Sequence, residues 1–256
     1  MSAGGTSLWA SAELAKAYAD VRTDLSAAAR AVWAEAFRSA LPDVRIRRVL
    51  DVGCGTGRFT AFLADLFGAA TVGLDGSVAM LRERLRPAGL PLSYLGADAV
   101  ALPLRTGTMD LALLSMVYHL LPSADAAIAE LRRVIRPRGW VLLRTPSREL
   151  LDRVGFLPFF PEARVIDEAR MPPRAQITES FTRGGFTAHA WRLVEQEFAT
   201  TPGAALERVR RRAFSTLQLI SDEAFAAGLA QYEAHCLNAP ATAQTESLEL
   251  FVFQRV

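Results

Sequence analysis

The residues best placed to do chemistry sit at the ends of short apolar runs. Val49-Leu50-Asp51-Val52-Gly53-Cys54-Gly55-Thr56-Gly57-Arg58-Phe59-Thr60 breaks from such a run into glycines at every second position, then into an amphipathic segment. The pattern predicts strand, turn and helix. Glycine has no Cβ and tolerates positive φ, so the backbone can turn sharply and let a ligand approach closely. The helix expected over residues 59–67 aims its unpaired N–H groups at that turn, which suits a nucleotide-like guest. Further along, Asp75 closes one apolar run and Asp98 follows another, Leu92-Ser93-Tyr94-Leu95-Gly96. A carboxylate after the second strand matches the two hydroxyls of a ribose, and one beyond the third can accept from the exocyclic amine of adenine. The dinucleotide fingerprint Gly-x-Gly-x-x-Gly would need glycine at position 58, where this chain has Arg58.

The elements that must carry these groups follow from periodicity. Residues 8–41 read as two helices, interrupted by Arg22-Thr23-Asp24 and ended by Pro42-Asp43. Strands are expected from Val49 and over 70–75, 92–96, 110–115 and 140–145, with helices over 77–85 and 124–135 between them. Beyond Pro146 the passage containing Pro158, Pro161, Pro172 and Pro173 reads as loop-rich. A helix at 175–183, a strand at 187–198, helices at 204–214 and 222–237 and a strand at 247–256 follow. Alternating strands and helices imply an α/β fold, a mostly parallel sheet covered on both faces, whose ligands bind beyond the carboxyl ends of the strands. The glycine turn, Asp75, Asp98 and Ser115 all fall on that rim.

Composition narrows the class. With 51% hydrophobic and 22% charged residues among 256, the chain reads as an ordinary globular protein with one sizeable core. No apolar run approaches a membrane span and the N-terminus lacks a signal-peptide pattern, so a cytoplasmic protein with no membrane partner is expected. Residues 1–7 are expected to be disordered. Two cysteines, Cys54 and Cys236, without metal-ligand spacing indicate neither a disulfide framework nor a metal site. A net charge of +2 is a weak nucleic-acid footprint, and no nucleic-acid partner is expected. Lys16 is the only lysine among 29 basic residues, a bias that fits a GC-rich bacterial genome.

Four stretches in order carry a resemblance. VLDVGCGTGRFT, VGLDGSVAML, GADAVALPL, and MDLALLSMVYHLL with LRRVIRPRGWVLLRTPS resemble the core motifs of class I S-adenosylmethionine-dependent methyltransferases. The group resembled is the small-molecule type that includes ubiquinone and menaquinone biosynthesis enzymes. The likeness covers residues 45–146, under half the chain. It implies a Rossmann-like, doubly wound, seven-stranded and mostly parallel sheet with a helical lid, and S-adenosylmethionine as cofactor. Carried over by position, it implies Gly53 and Gly55 beside the methionine portion, with Asp51 supporting the loop or the amino group. Asp75 would hold the ribose and Gly76 and Ser77 would flank the adenosine. Asp98 and Ala99 would meet the adenine edge, and Ser115 would lie near the cofactor's amino end. Tyr18 and Arg22 lie in a helical arm resembling those that fold over the cofactor.

The expected organisation is an N-terminal helical arm (1–44), a cofactor-binding core (45–198 and 241–256) and a helical lid insertion (199–240). The expected reaction is O-, N- or C-methylation of a small apolar or aromatic metabolite in bacterial secondary metabolism, by a monomer or homodimer. Transfer from a sulfonium is an in-line displacement that needs a base only when the acceptor is protonated. His119 or His189 is the candidate base, and Tyr18 a candidate for positioning the acceptor. Phe156, Phe159, Phe160 and Phe214 are candidates for pocket wall or lid core. Two rivals stay open: a cofactor-binding regulator without catalysis, and an NAD(P)-dependent oxidoreductase.

Overall fold

Apolar side chains on successive positions of one strand point to opposite faces, so a continuous apolar run needs cover on both sides. The computed structural model, which describes residues 11–21, 25–85 and 87–256, has such a sheet. Its strands are β1 (Arg48–Val52), β2 (Ala70–Asp75), β3 (Leu92–Gly96), β4 (Met109–Ser115), β5 (Ile135–Thr145), β6 (Phe186–Ala199) and β7 (Gln244–Arg255). They lie in the order β3-β2-β1-β4-β5-β7-β6. Pairs from β3 to β5 are parallel, and β7 runs antiparallel between β5 and β6. The winding reverses between β1 and β4, and their carboxyl ends open the crevice in which such sheets bind ligands.

The helices are α1 (Ala12–Val21), α2 (Ala27–Ala40), α3 (Arg58–Phe67), α4 (Val78–Arg82), α5 (Ala124–Val134), α6 (Pro161–Arg170), α7 (Arg174–Arg183), α8 (Pro202–Arg210) and α9 (Asp222–Asn238). Leu111 and Leu113 of β4 pack with Trp33 and Phe37 of α2 and with Phe59 and Phe62 of α3. Their neighbours Ala112 and Leu114 face the other way, toward Ile128 and Leu131 of α5 and Ile177 and Phe181 of α7. The arm helix α2 is therefore one layer of the sheet domain. By contrast α1 packs against α4, over the strand ends. Residues 1–7 lie outside the described residues.

A third apolar cluster joins Leu151, Phe156, Phe160 and Met171 to Leu206, Val209, Leu217 and Tyr232. The expected lid thus shares its core with 148–171, a stretch that the sequence reading left with the sheet. Helix α6 lies in the passage read as loop. Pro161 sits in its first turn, where a missing N–H costs no helical bond, so this proline starts a helix. Helix α4 stops at Arg82, short of position 85, because Leu85 N donates instead to Thr56 O (2.9 Å) in the glycine turn. Strand β5 begins early, at Ile135, which pairs with Met109 before a register shift.

Phe181 is fully buried and stacks on Phe253 with ring centroids 4.0 Å apart. Phe181→Ala is expected to cost about 3–5 kcal/mol of unfolding free energy in urea titration. Leu237→Ser, at a position 79% exposed, is expected to change it by less than about 0.5 kcal/mol.

Candidate functional site

The glycine turn is fixed by what lies around it. Gly53, Gly55 and Gly57 have φ of 68°, 54° and 79°. Gly53 N and Cys54 N both donate to Leu74 O, at 2.7 and 3.0 Å, which ties the turn to the end of β2. A Cβ on Gly53 would fall 2.3 Å from Val117 Cγ2, and one on Gly57 2.3 Å from the Tyr94 hydroxyl. Asp75 completes the tie: Oδ2 accepts from Gly55 N and Oδ1 from Ser77 N, each at 2.8 Å. Each oxygen keeps accepting capacity for a further donor. Burial pushes the Asp75 carboxyl up, against the pull of the two N–H groups.

Asp51, at the end of β1, is 1% exposed. Its Oδ2 accepts from Thr60 Oγ1 at 2.7 Å, while Oδ1 is buried without a hydrogen-bond partner among the described residues. Burial raises its pKa to about 7, against the Thr60 hydrogen bond and with a further push from Asp75. The same burial and the same carboxylates push the Cys54 thiol far up, so it is protonated and inert. Among the described residues no cluster of side chains has the makings of a metal site.

A cavity of about 660 Å³ opens along this rim. Asp51, Gly53, Gly55, Asp75, Gly76, Ser77, Asp98, Ala99, Ser115, His119 and Tyr18 of α1 all line it. Arg22 lies outside the described residues. The sequence missed Arg144 and Gln196, which line it from β5 and β6. Arg144 donates to Ser115 Oγ (3.1 Å) and Gln196 Oε1 (3.2 Å), with its guanidinium 4.6 Å from the Trp33 ring centroid. A single charge ending the apolar run Trp140-Val141-Leu142-Leu143 was the available signal. The opposite wall comes from the cap, through Phe156, Phe214 and Met171 with Asp167, Arg170, Ser215 and Thr216 among them, and from Phe198 near the end of β6. Phe159 and Phe160 pack inside the cap and do not line the cavity.

The two candidate bases fare differently from expectation. His189 lies edge-on to Trp140 at 4.9 Å and is absent from the cavity wall. His119 is on the wall, but burial, with Arg170 adding to it, lowers its pKa to about 3. An imidazole so weakly basic is neutral at physiological pH and a poor acceptor for the proton of an alcohol or phenol.

Comparison with known proteins agrees with this geometry. Residues 50–143 match a family model described as a methyltransferase domain. The malonyl-[acyl-carrier protein] O-methyltransferase of Enterobacter lignolyticus (strain SCF1) is 34% identical over 121 residues, covering 47% of this chain and 47% of that protein. A fatty-acid O-methyltransferase of Mycolicibacterium smegmatis is 38% identical over 118 residues, 44% of this chain and 42% of that one. The chain thus matches less than half the length of these curated relatives. Among solved structures, a protein described as a methyltransferase from an antibiotic biosynthesis pathway of Anabaena variabilis shares the fold. It has a TM-score of 0.68 at 17% identity, covering 88% of this chain and 96% of that one.

Asp51 makes the stability of the protein pH-dependent with a definite sign. Its contribution is fully present below the ordinary value of 3.8 and is lost as pH rises through about 7, because the unfolded chain ionises first. Asp51→Asn keeps an oxygen for Thr60 and removes the titration. Its stability relative to wild type is expected to climb by up to about 4 kcal/mol across that window and to stay level above it. Urea midpoints at a series of pH values measure this, and a pH-independent offset would contradict it.

Proposed function

We propose that residues 50–143, which match a methyltransferase domain, form a class I S-adenosylmethionine-dependent methyltransferase domain with S-adenosylmethionine as its cofactor, and that the chain methylates a small acceptor with a largely apolar body. The observation that carries this reading is a single cavity running from the glycine turn and Asp75 to the aromatic wall of the cap. The residues fit the cofactor. Asp75 can take a ribose diol on oxygens already oriented by two backbone N–H groups, and the orphaned Oδ1 of Asp51 suits an ammonium. Asp98, held by Val100 N at 3.1 Å, is the acceptor at the adenine end.

When bound, the cofactor supplies an electrophilic methyl group on a sulfonium with a good leaving group. The work left to the protein is alignment and exclusion of water. Asp75, Gly76 and Ser77 hold one end of the donor, and Asp51 and Ser115 the other. Tyr18 closes the cavity from α1, and the cap segments 148–171 and 199–240 close it from the other side, as we divide the chain. His119, with its pKa lowered to about 3, moves no proton. The names of two relatives, one for malonyl-[acyl-carrier protein] and one for fatty acids, support an acceptor with an acyl body.

Isothermal titration is expected to detect S-adenosylmethionine binding and no NADH binding. Asp75→Ala is expected to weaken the cofactor by about 10- to 100-fold, since both ribose contacts and the tie to Gly55 go with it. Turnover of at least one acceptor to S-adenosylhomocysteine is expected. Binding without any turnover would instead favour a cofactor-binding regulator.

A further inference from the structure

The cap contributes a polar cluster that the cofactor does not need. Arg170 ends α6, and its Nε donates to Asp167 Oδ1 at 2.7 Å. Its Nη2 donates to Ser215 Oγ at 2.9 Å and to Thr216 Oγ1, and the Thr216 hydroxyl donates in turn to Asp167 Oδ1 at 2.7 Å. Three of the five N–H groups are thereby spent on fixing the guanidinium plane. The two on Nη1 have no hydrogen-bond partner among the described residues, and the side chain keeps 17% exposure on the cavity that it lines. His119, on the same cavity and close enough to feel the charge of Arg170, has a buried Nδ1 without a partner. Apolar side chains, Phe156, Phe214 and Met171, also line this part of the cavity.

Resting on the methyl-transfer reading above, we propose that the acceptor is a carboxylic acid with an apolar body, whose carboxylate docks on Arg170 Nη1 beside His119 and itself receives the methyl group. One oxygen of a planar carboxylate can accept from Nη1 of the fixed guanidinium, and a neutral imidazole bearing its proton on Nδ1 serves the second oxygen. Asp167 already offsets the charge of Arg170, so a monoanion suits the cluster better than a dianion such as a phosphate monoester. An alcohol would need a base, which His119 is too weak to provide, whereas a carboxylate arrives ionised. A carboxylate oxygen forms a bond to the methyl carbon, the carbon–sulfur bond breaks, and its electron pair stays on sulfur. The products are a methyl ester and S-adenosylhomocysteine. No proton moves, and two opposite charges disappear, which favours the step in a cavity shielded from water.

The test uses octanoate and 4-phenylbutyrate against the matching alcohols and octyl phosphate, with S-adenosylmethionine binding measured separately. Methyl esters are expected by mass spectrometry, at a rate that, with S-adenosylmethionine saturating, stays level from about pH 6 to about pH 9. Arg170→Lys keeps the charge and loses the planar donor held in place by Asp167, Ser215 and Thr216; kcat/KM for the acids is expected to fall by about tenfold or more, with cofactor affinity within about twofold. Asp167→Asn removes the counter-charge while keeping an oxygen for Nε, and is expected to lower KM for the acids several-fold, opposite to what mere structural damage would do. Preferential methylation of the alcohols or binding of the phosphate, or acid turnover indifferent to Arg170→Lys, would overturn the proposal. If S-adenosylmethionine does not bind at all, the methyl-transfer reading fails instead, and acid binding that still depends on Arg170 would leave the docking site standing.

Discussion

Two N–H groups, those of Gly53 and Cys54, converge on the carbonyl oxygen of Leu74, and the donor half of the cavity depends on that convergence. It pulls the turn after β1 across the end of β2, which brings Asp75 within 2.8 Å of Gly55 N. The turn can lie there only because position 53 lacks a side chain: Val117, just past the end of β4, occupies the space a Cβ would need. Met116 makes that possible by taking φ of 58°, a conformation unusual for a residue other than glycine. The ends of β1, β2 and β4 are therefore interlocked, and the cavity inherits their geometry.

This interlocking explains why the donor half was legible in the sequence. Its residues sit on contiguous strand–turn–helix units, and their types are dictated by local backbone needs: glycine for positive φ, serine to cap α4, a carboxylate at a strand end. The acceptor half obeys no local rule. Thr216 meets Arg170 across 46 residues and Asp167 across 49, so no spacing announces the cluster. One proline misled as well, since Pro161 stands at the start of α6, in the passage read as loop, whereas the helix after Pro173 was found where expected. The basicity of His119 was equally hidden, because it is set by burial and by a guanidinium from a distant segment.

The cap has an apolar core of its own, distinct from the two clusters that cover the sheet. Residues 148–171 and 202–236 contribute to it jointly, which is why neither segment alone reads as a domain. Such a unit can carry substrate-facing groups outside the strand layers, against which it rests through Phe198 and Ala199 of β6. The donor half, by contrast, is knitted into β1, β2 and β4 and tolerates little change.

The charge distribution along the cavity follows the same division and bears on the order of events. Asp51, Asp75 and Asp98 line the donor end, and Asp51 is buried deeply enough that its ionised form is costly. A ligand carrying an ammonium and a sulfonium would relieve that cost and lower the pKa of Asp51, releasing a proton on binding. With the sulfonium already in the cavity, an anion entering beside Arg170 is drawn toward the methyl group it is to receive. Cofactor first and acceptor second is the sequence this electrostatic arrangement favours, because the sulfonium is then in place to attract the acceptor's carboxylate.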